Sequence, residues 1–154
     1  MKTKSKYGMI IGLIVSLLLL MTQCDKFTEL KFLTPNNFTL DASSHEFDVT
    51  TKQETSLNTI TINGKENMMY LFDKDTIFNY DDYSVRYVQY GEAAVPIEVK
   101  GEWFSITKPS PFSTTTHIFI DENNEDTDRS LTINIAGDLT LASDINIKQK
   151  GKGK

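Results

Sequence analysis

Cysteine, proline and tryptophan are scarce in this chain of 154 residues, which holds one, four and one of them. A single cysteine excludes an intramolecular disulfide. It also excludes a thiolate zinc cluster, which needs at least two sulfur ligands. Positive charge is in short supply as well. The 16 Lys and Arg face 21 Asp and Glu, giving a net charge of −5 and a pI near 5.0. A nucleic-acid-binding domain usually has a pI above about 9, so no nucleic acid is expected as a partner. The two histidines, His45 and His117, stand far apart in the chain. No nucleophile elbow or other catalytic signature surrounds either of them.

The one long apolar run lies at the start. Residues 1–8 carry Lys2, Lys4 and Lys6 and no acid, and residues 9–21 (MIIGLIVSLLLLM) are apolar apart from Ser16. A membrane-spanning helix needs roughly 20 apolar residues. A basic stretch, a shorter apolar stretch and a processing site instead predict a secretory signal peptide. Leu20-Met21-Thr22-Gln23-Cys24 resembles the lipobox of a bacterial lipoprotein signal, with Gln23 where the common pattern has Gly, Ala or Ser. That resemblance implies that Cys24 is the lipid attachment site and the first residue of the mature chain. Removing residues 1–23 with their three lysines leaves 131 residues, 13 basic groups against 21 acidic, and a net charge of −8. Such a chain is long enough to bury about two-thirds of its surface and fold as one domain. The anchor has to be the lipid, because adhesion to anionic phospholipid by charge requires clustered Lys and Arg.

After residue 30 the pattern is one of strands and turns, with no helix-period segment of useful length. Phe38-Thr39-Leu40, Phe47-Asp48-Val49, Ile60-Thr61-Ile62, Tyr83 to Tyr87, Val95 to Val99, Phe104 to Ile106, Ile118 to Ile120, Leu131 to Ile135 and Ile145 to Ile147 all alternate with period two. Asn63-Gly64 is a strong hairpin signal. Pro96 cannot donate to a ladder, so its strand is expected at an edge or a bulge. About nine short strands, each with one apolar face, predict an all-β fold of antiparallel sheets, a sandwich or a barrel. Residues 24–29 read as the lipidated cysteine and a short tether, 30–149 as the domain, and 150–154 as a frayed basic tail.

Several of these pieces together carry a resemblance. Trp103-Phe104-Ser105-Ile106, the strand Ile118-Phe119-Ile120, an Asn-containing loop ending at Arg129, the strand at 130–135 and the closing Ile145-Asn146-Ile147-Lys148-Gln149 resemble the BACON domain of Bacteroidetes surface proteins. Phe38-Thr39-Leu40-Asp41-Ala42 and Phe47-Asp48-Val49 fit that family's opening strands. Residues 64–94 depart from it, being longer and richer in Tyr, Phe and Met. The resemblance implies an immunoglobulin-like antiparallel β-sandwich. It also implies a non-catalytic, lipid-anchored module of the cell envelope and outer membrane that binds or positions glycan or a partner protein. The alternative is a structural or accessory subunit of an outer-membrane or fimbrial complex with no glycan binding. An enzyme is the third reading, and no cofactor or metal is expected.

The candidate ligand-binding residues are Tyr80, Asp81, Asp82 and Tyr83. Aromatic faces stack on sugar C–H surfaces, and carboxylates accept hydrogen bonds from hydroxyls. Arg86, Tyr87 and Tyr90 follow closely, although Tyr83, Val85 and Tyr87 share one strand face and read equally as core. Tyr70 and Phe72 carry the same ambiguity. Trp103 is expected to be buried, as a lone Trp in a sandwich usually is. The segment 121–128 holds five acids in eight residues. It fails the EF-hand pattern, which needs Gly at position six and Glu at position twelve. A solvated hairpin loop is the favoured reading, with Arg129 positioned to pair with Asp126 or Asp128.

Overall fold

The computed structural model describes residues 30–68, 77–137 and 141–153. The signal segment 1–23, the lipid attachment site Cys24, the tether at 25–29, Tyr70 and Phe72 lie outside the described residues. Ten strands are described: β1 (Asn37–Leu40), β2 (His45–Ile62), β3 (Lys65–Met68), β4 (Ile77–Asn79), β5 (Tyr83–Tyr90), β6 (Ala93–Gly101), β7 (Phe104–Thr107), β8 (Ser113–Ile120), β9 (Arg129–Gly137) and β10 (Ala142–Gln149). Among the described residues no helix is long and apolar enough to cross a membrane.

The all-β expectation holds. The strands form one open mixed sheet in the order β1-β10-β9-β2-β8-β7-β6-β5-β4, with β3 paired to β2. Two features differ from the sequence reading. Residues 45–62 form one strand of 18 residues rather than two short ones. Its first half pairs with β8 and its second half with β9, and the change of partner falls between Thr50 and Thr55. No Gly or Pro interrupts Thr-Thr-Lys-Gln-Glu-Thr there, and threonine suits an extended backbone. The buried Thr51 hydroxyl ties off the irregularity by donating to the carbonyls of Gln53 at 2.6 Å and Thr114 at 3.2 Å.

The second difference corrects the antiparallel expectation, because β1 pairs with β10 in parallel. β10 and the second half of β2 both run antiparallel to β9, so β1 and that half run the same way. The first half of β2 runs the opposite way, because the strand folds back at the irregularity between Thr50 and Thr55. The 41–44 segment therefore reverses the chain as it crosses from the rim of the sheet to β2. Phe38 and Phe47 meet across it, with ring centroids 4.3 Å apart.

β2 divides the sheet into two arms, and both contribute to one core. Ile133, Ile135 and Ile145 come from one arm and Val85, Val99, Ile106 and Ile118 from the other. All seven are at most 1% exposed, and burying each such side chain is worth about 1.5–3 kcal/mol. Alternation predicts the inward residues correctly in β5, β9 and β10. Asn63 (φ 48°) and Gly64 (φ 83°) close the β2–β3 hairpin with the left-handed backbone this turn requires. Pro96 lies in an interior strand, but at a slip of register. Arg86 faces Glu98 and Tyr87 faces Pro96, leaving Ile97 as the extra residue of a bulge.

Candidate functional site

One end of the sheet gathers its turns around Trp103. Trp103 sits in the bend between β6 and β7, and its carbonyl accepts the Asp121 amide at 2.8 Å. The indole is partly buried, not enclosed as expected. It meets Phe104 edge-on at 5.1 Å. The guanidinium carbon of Arg129 lies 4.4 Å from its centroid, a cation–π contact. Arg129 is aimed by two further bonds: Nε donates to Gln149 Oε1 at 2.8 Å, and a terminal nitrogen donates to the Asp121 carbonyl at 2.6 Å. Burial lowers its pKa, while Asp121 and Glu102 pull the other way. Arg129 is thus committed to the ring and the loop backbone. Asp128 is met by Lys148 at 3.4 Å and by the Gly151 amide at 3.1 Å.

Two clefts flank the indole and share Asn63, Glu102 and Trp103 in their walls. One, of about 400 Å³, runs along the acidic loop from Asp121 to Arg129. The other, of about 420 Å³, is walled by Lys65, Asp81 and Asp82. Lys65 Nζ and Asp82 Oδ2 are 3.4 Å apart. A ring edge, carboxylate acceptors and amide and ammonium donors around one hollow suit a neutral ligand rich in hydroxyls.

The loop at 121–128 is held as firmly as a strand. Asn123 is 1% exposed. Its side-chain amide donates to the carbonyls of Thr127 at 2.9 Å and Lys150 at 3.0 Å, and its oxygen accepts the Glu125 amide at 3.2 Å. Gln149, fully buried, donates to the carbonyls of Ser43 and Asp121 at 2.8 and 3.0 Å. The chain beyond β10 is not a frayed tail through 150–153. Gly151 is buried against the loop, and a Cβ there would lie 2.4 Å from the Asp126 carbonyl group. The Lys152 amide donates to the Glu125 carbonyl at 2.8 Å. Lys150 and Lys152 thus lie against the acidic loop. Among the described residues, no group of three or more His, Cys, Asp or Glu side chains is placed to hold a metal ion.

The structure splits the four candidate ligand-binding residues. Asp81 and Asp82 are exposed and line the second cleft. Tyr83 is 5% exposed and belongs to the core with Tyr87, so its ring is not available at the surface. Tyr80 is partly buried and stacks on Tyr83 at 4.5 Å. Burial, with the Tyr80 phenol nearby, raises the Tyr87 pKa and keeps that phenol protonated. Asn63, Glu102, Lys65 and Asp121 were missed because they are scattered along the chain. The signal that unites them is their position at or just beyond the ends of strands that finish at this end of the sheet.

Two other polar clusters deserve a chemical reading. Asp41, Ser43 and His45 come together in the β1–β2 crossover, but not as a catalytic triad. His45 Nε2 contacts both Asp41 Oδ1 at 2.9 Å and Ser43 Oγ at 3.3 Å, and the Ser43 hydroxyl donates to Asp41 at 2.5 Å. A nucleophilic serine would pass its proton to a histidine whose other nitrogen faces the carboxylate. The side-chain and backbone bonds from Ser43, then the His45 contact, lower Asp41 to about 2. At the opposite end Lys108 is 4% exposed. Its ammonium donates to the Thr55 and Thr116 hydroxyls at 3.0 Å each and to the Thr115 carbonyl at 3.5 Å. Burial lowers it to about 8.

No protein-family model matches the sequence, and a search of curated proteins gives no significant match. Two solved structures are matched. A protein from Bacteroides thetaiotaomicron, determined by NMR, superposes with a TM-score of 0.53 at 11% identity, covering 84% of this chain and 88% of its own. A Bacteroides ovatus GH5 xyloglucanase in complex with a XXXG heptasaccharide gives a TM-score of 0.40 at 11% identity, over 80% of this chain and 19% of its own. The second likeness is too low to establish a common fold. The first is a likeness of fold alone, and it agrees with the all-β sheet.

Proposed function

We propose that this chain is a non-catalytic, lipid-anchored module of the bacterial cell envelope, and that its clefts around Trp103 bind a hydroxyl-rich ligand of the glycan class. The observation that carries the reading is the partly buried indole between two hollows walled by Glu102, Asp81, Asp82 and Asp121. Sugars present C–H faces to aromatic rings and hydroxyls to carboxylates and amides, so this set holds a saccharide without any chemical step. The finer reading of the fold is a two-layer sandwich of immunoglobulin type, of the BACON kind. Support for it comes from the single core shared by the two arms on either side of β2. Support for the anchor comes from the lipobox-like residues 20–24.

A glycan array probed with the protein tests the ligand. Binding that quenches or shifts the emission of Trp103, and that is lost in Trp103→Ala, is the expected result. Silence across plant and host glycans removes the reading. The anchor is tested by metabolic labelling with a clickable fatty acid, and a Cys24→Ala variant that still takes up label refutes it.

A second reading has one observation in its favour. β4 ends the sheet path, and Ile77 and Phe78 on it are 61% and 39% exposed. Such an edge invites strand addition by a partner protein, which is the accessory-subunit reading.

A further inference from the structure

The register of the sheet puts the beginning of the domain at the end opposite Trp103. Leu30 is buried there, 3.4 Å from where a Cβ on Gly137 would sit, and Phe32 bridges to Thr51. The β5–β6 turn, the 108–112 loop and the change of partner in β2 lie at this same end. Tyr90 faces Ala93 at the turn, Lys108 donates its amide to Ile97, and Thr55 faces both Ser113 and Gly137. The cleft end collects the 41–44 crossover, Asn63, Asp81, Asp82, Trp103 and the acidic loop.

Three large apolar side chains are left exposed at the Leu30 end: Leu33 (67%), Tyr90 (58%) and Phe112 (38%). Tyr90 and Phe112 meet edge-on at 4.9 Å. The charges are asymmetric too. Lys31 and Lys52 stand exposed at this end against Glu54 and Glu92. Asp41, Asp81, Asp82, Glu102 and the acidic loop crowd the other end, against Lys65, Arg129, Lys150 and Lys152.

We infer that the Leu30 end of the domain rests on the lipid surface, with Tyr90 and Phe112 at headgroup depth and the Trp103 clefts facing away. This rests on the lipid anchor proposed above. However residues 25–29 run, six residue steps from Cys24 to Leu30 reach at most about 20 Å, so an anchor at Cys24 keeps this end close to the bilayer. The eight residues of β5 set the clefts about 25 Å farther out. Tyrosine and phenylalanine rings are favoured in the interfacial zone of a bilayer. Anionic headgroups repel the acidic cleft end more than the Leu30 end, where Lys31 and Lys52 offset Glu54 and Glu92, so charge selects the same orientation.

The native chain has one tryptophan, which makes the orientation readable. The full chain, purified with its lipid from membranes, is reconstituted on phosphatidylethanolamine and phosphatidylglycerol vesicles carrying acyl chains brominated near the headgroup. Trp103 of the wild type keeps its emission. In the Trp103→Phe background, a reporter at Tyr90→Trp falls roughly two-fold and shifts to the blue as an interfacial ring does. Phe112→Trp is a second reporter at the same end, should the Tyr90 variant fold poorly. Equal quenching at both ends, or quenching of Trp103 alone, overturns the orientation. So does a protein that stays with the vesicles while both reporters remain bright, as they would if the aromatic pair met another protein. A protein that does not stay with the vesicles overturns the anchor, and the orientation with it.

Discussion

The two ends of the sheet bury polar side chains in opposite ways. At the cleft end Asn123 and Gln149 are neutral amides whose donors and acceptors are matched by backbone and by Arg129. At the other end Lys108 is a cation whose recorded partners are two hydroxyls and a carbonyl, with no carboxylate among them. A matched amide network holds a surface in one shape at little electrostatic cost. A buried ammonium held only by dipoles costs stability whenever it is charged. The contrast assigns rigidity to the clefts and a stability deficit to the far end.

The most damaging way to break this comparison is at the amide end. Asn123→Ala removes three hydrogen bonds from a buried position and should cost about 3 kcal/mol, at about 1 kcal/mol each. A loss below about 1 kcal/mol in denaturant unfolding would show that water replaces the side chain freely. The variant should also weaken any ligand of the Trp103 clefts, because the loop that lines one of them loses its tie to Lys150.

Lys108 gives the next effect, with the opposite sign. Its fall from 10.5 to about 8 corresponds to about 3 kcal/mol below pH 8. Lys108→Met removes that cost but leaves the Thr55 and Thr116 hydroxyls and the Thr115 carbonyl without their ammonium donor, a loss of about 2 kcal/mol at about 1 kcal/mol for each of the two closer bonds. The variant should be about 1 kcal/mol more stable at pH 7. Between about 8 and 10.5 the unfolded chain holds the proton that the folded chain has released, so wild-type stability climbs with pH over that window. The advantage of Lys108→Met should shrink across the same window. Equal pH dependence of the two proteins in equilibrium unfolding would refute the assignment.

Asp41 supplies the smallest effect, at the cleft end. Its pKa falls from 3.8 to about 2, so its contribution is complete above 3.8 and drains away as the pH drops toward 2. The side chain is at the surface, and solvent screening keeps the contribution slight. An acid titration of the wild type against Asp41→Asn should show a small stability difference that is constant above 3.8 and shrinks as the pH falls toward 2. A difference that does not change across that range would point to the Ser43 turn rather than to proton binding.

Much of the sheet was readable from the chain, because period-two alternation tracks burial wherever one face meets the core. Tyr83-Val85-Tyr87 and Leu131-Ile133-Ile135 are examples. Asn63-Gly64 and Pro96 also kept their meanings as a turn and a bulge. The continuity of β2 was not readable, because residues 50–56 are polar and lack an alternating apolar face. The parallel partner of β1 was hidden for another reason. A short polar segment such as 41–44 does not say whether the strand before it will pair with the strand after it or with one far along the chain. Within the candidate site Asp81 and Asp82, read as ligand-binding residues, are exposed on a cleft wall. Their tyrosine neighbours proved to be packing, because a strand face shared with Val85 goes inward as a unit. Trp103 and Arg129 were singled out, but their pairing depended on a tertiary contact that no local pattern encodes.

The parallel ladder between β1 and β10 also bears on the order in which the molecule is built. Asn37 faces Asn146, so the first strand of the domain has no partner until the last has been made. β2 has β3 beside its last residues early, but the rest of it waits for β8 and β9. Pairings this distant in sequence must meet their loop-closure entropy before they return any stability, which slows folding. Because β2 belongs to both arms, losing either arm strips half of its hydrogen bonds from the other. The domain should therefore fold late, after most of the chain is available, and unfold in one cooperative step. A version truncated before residue 142 should gain no partially stable arm.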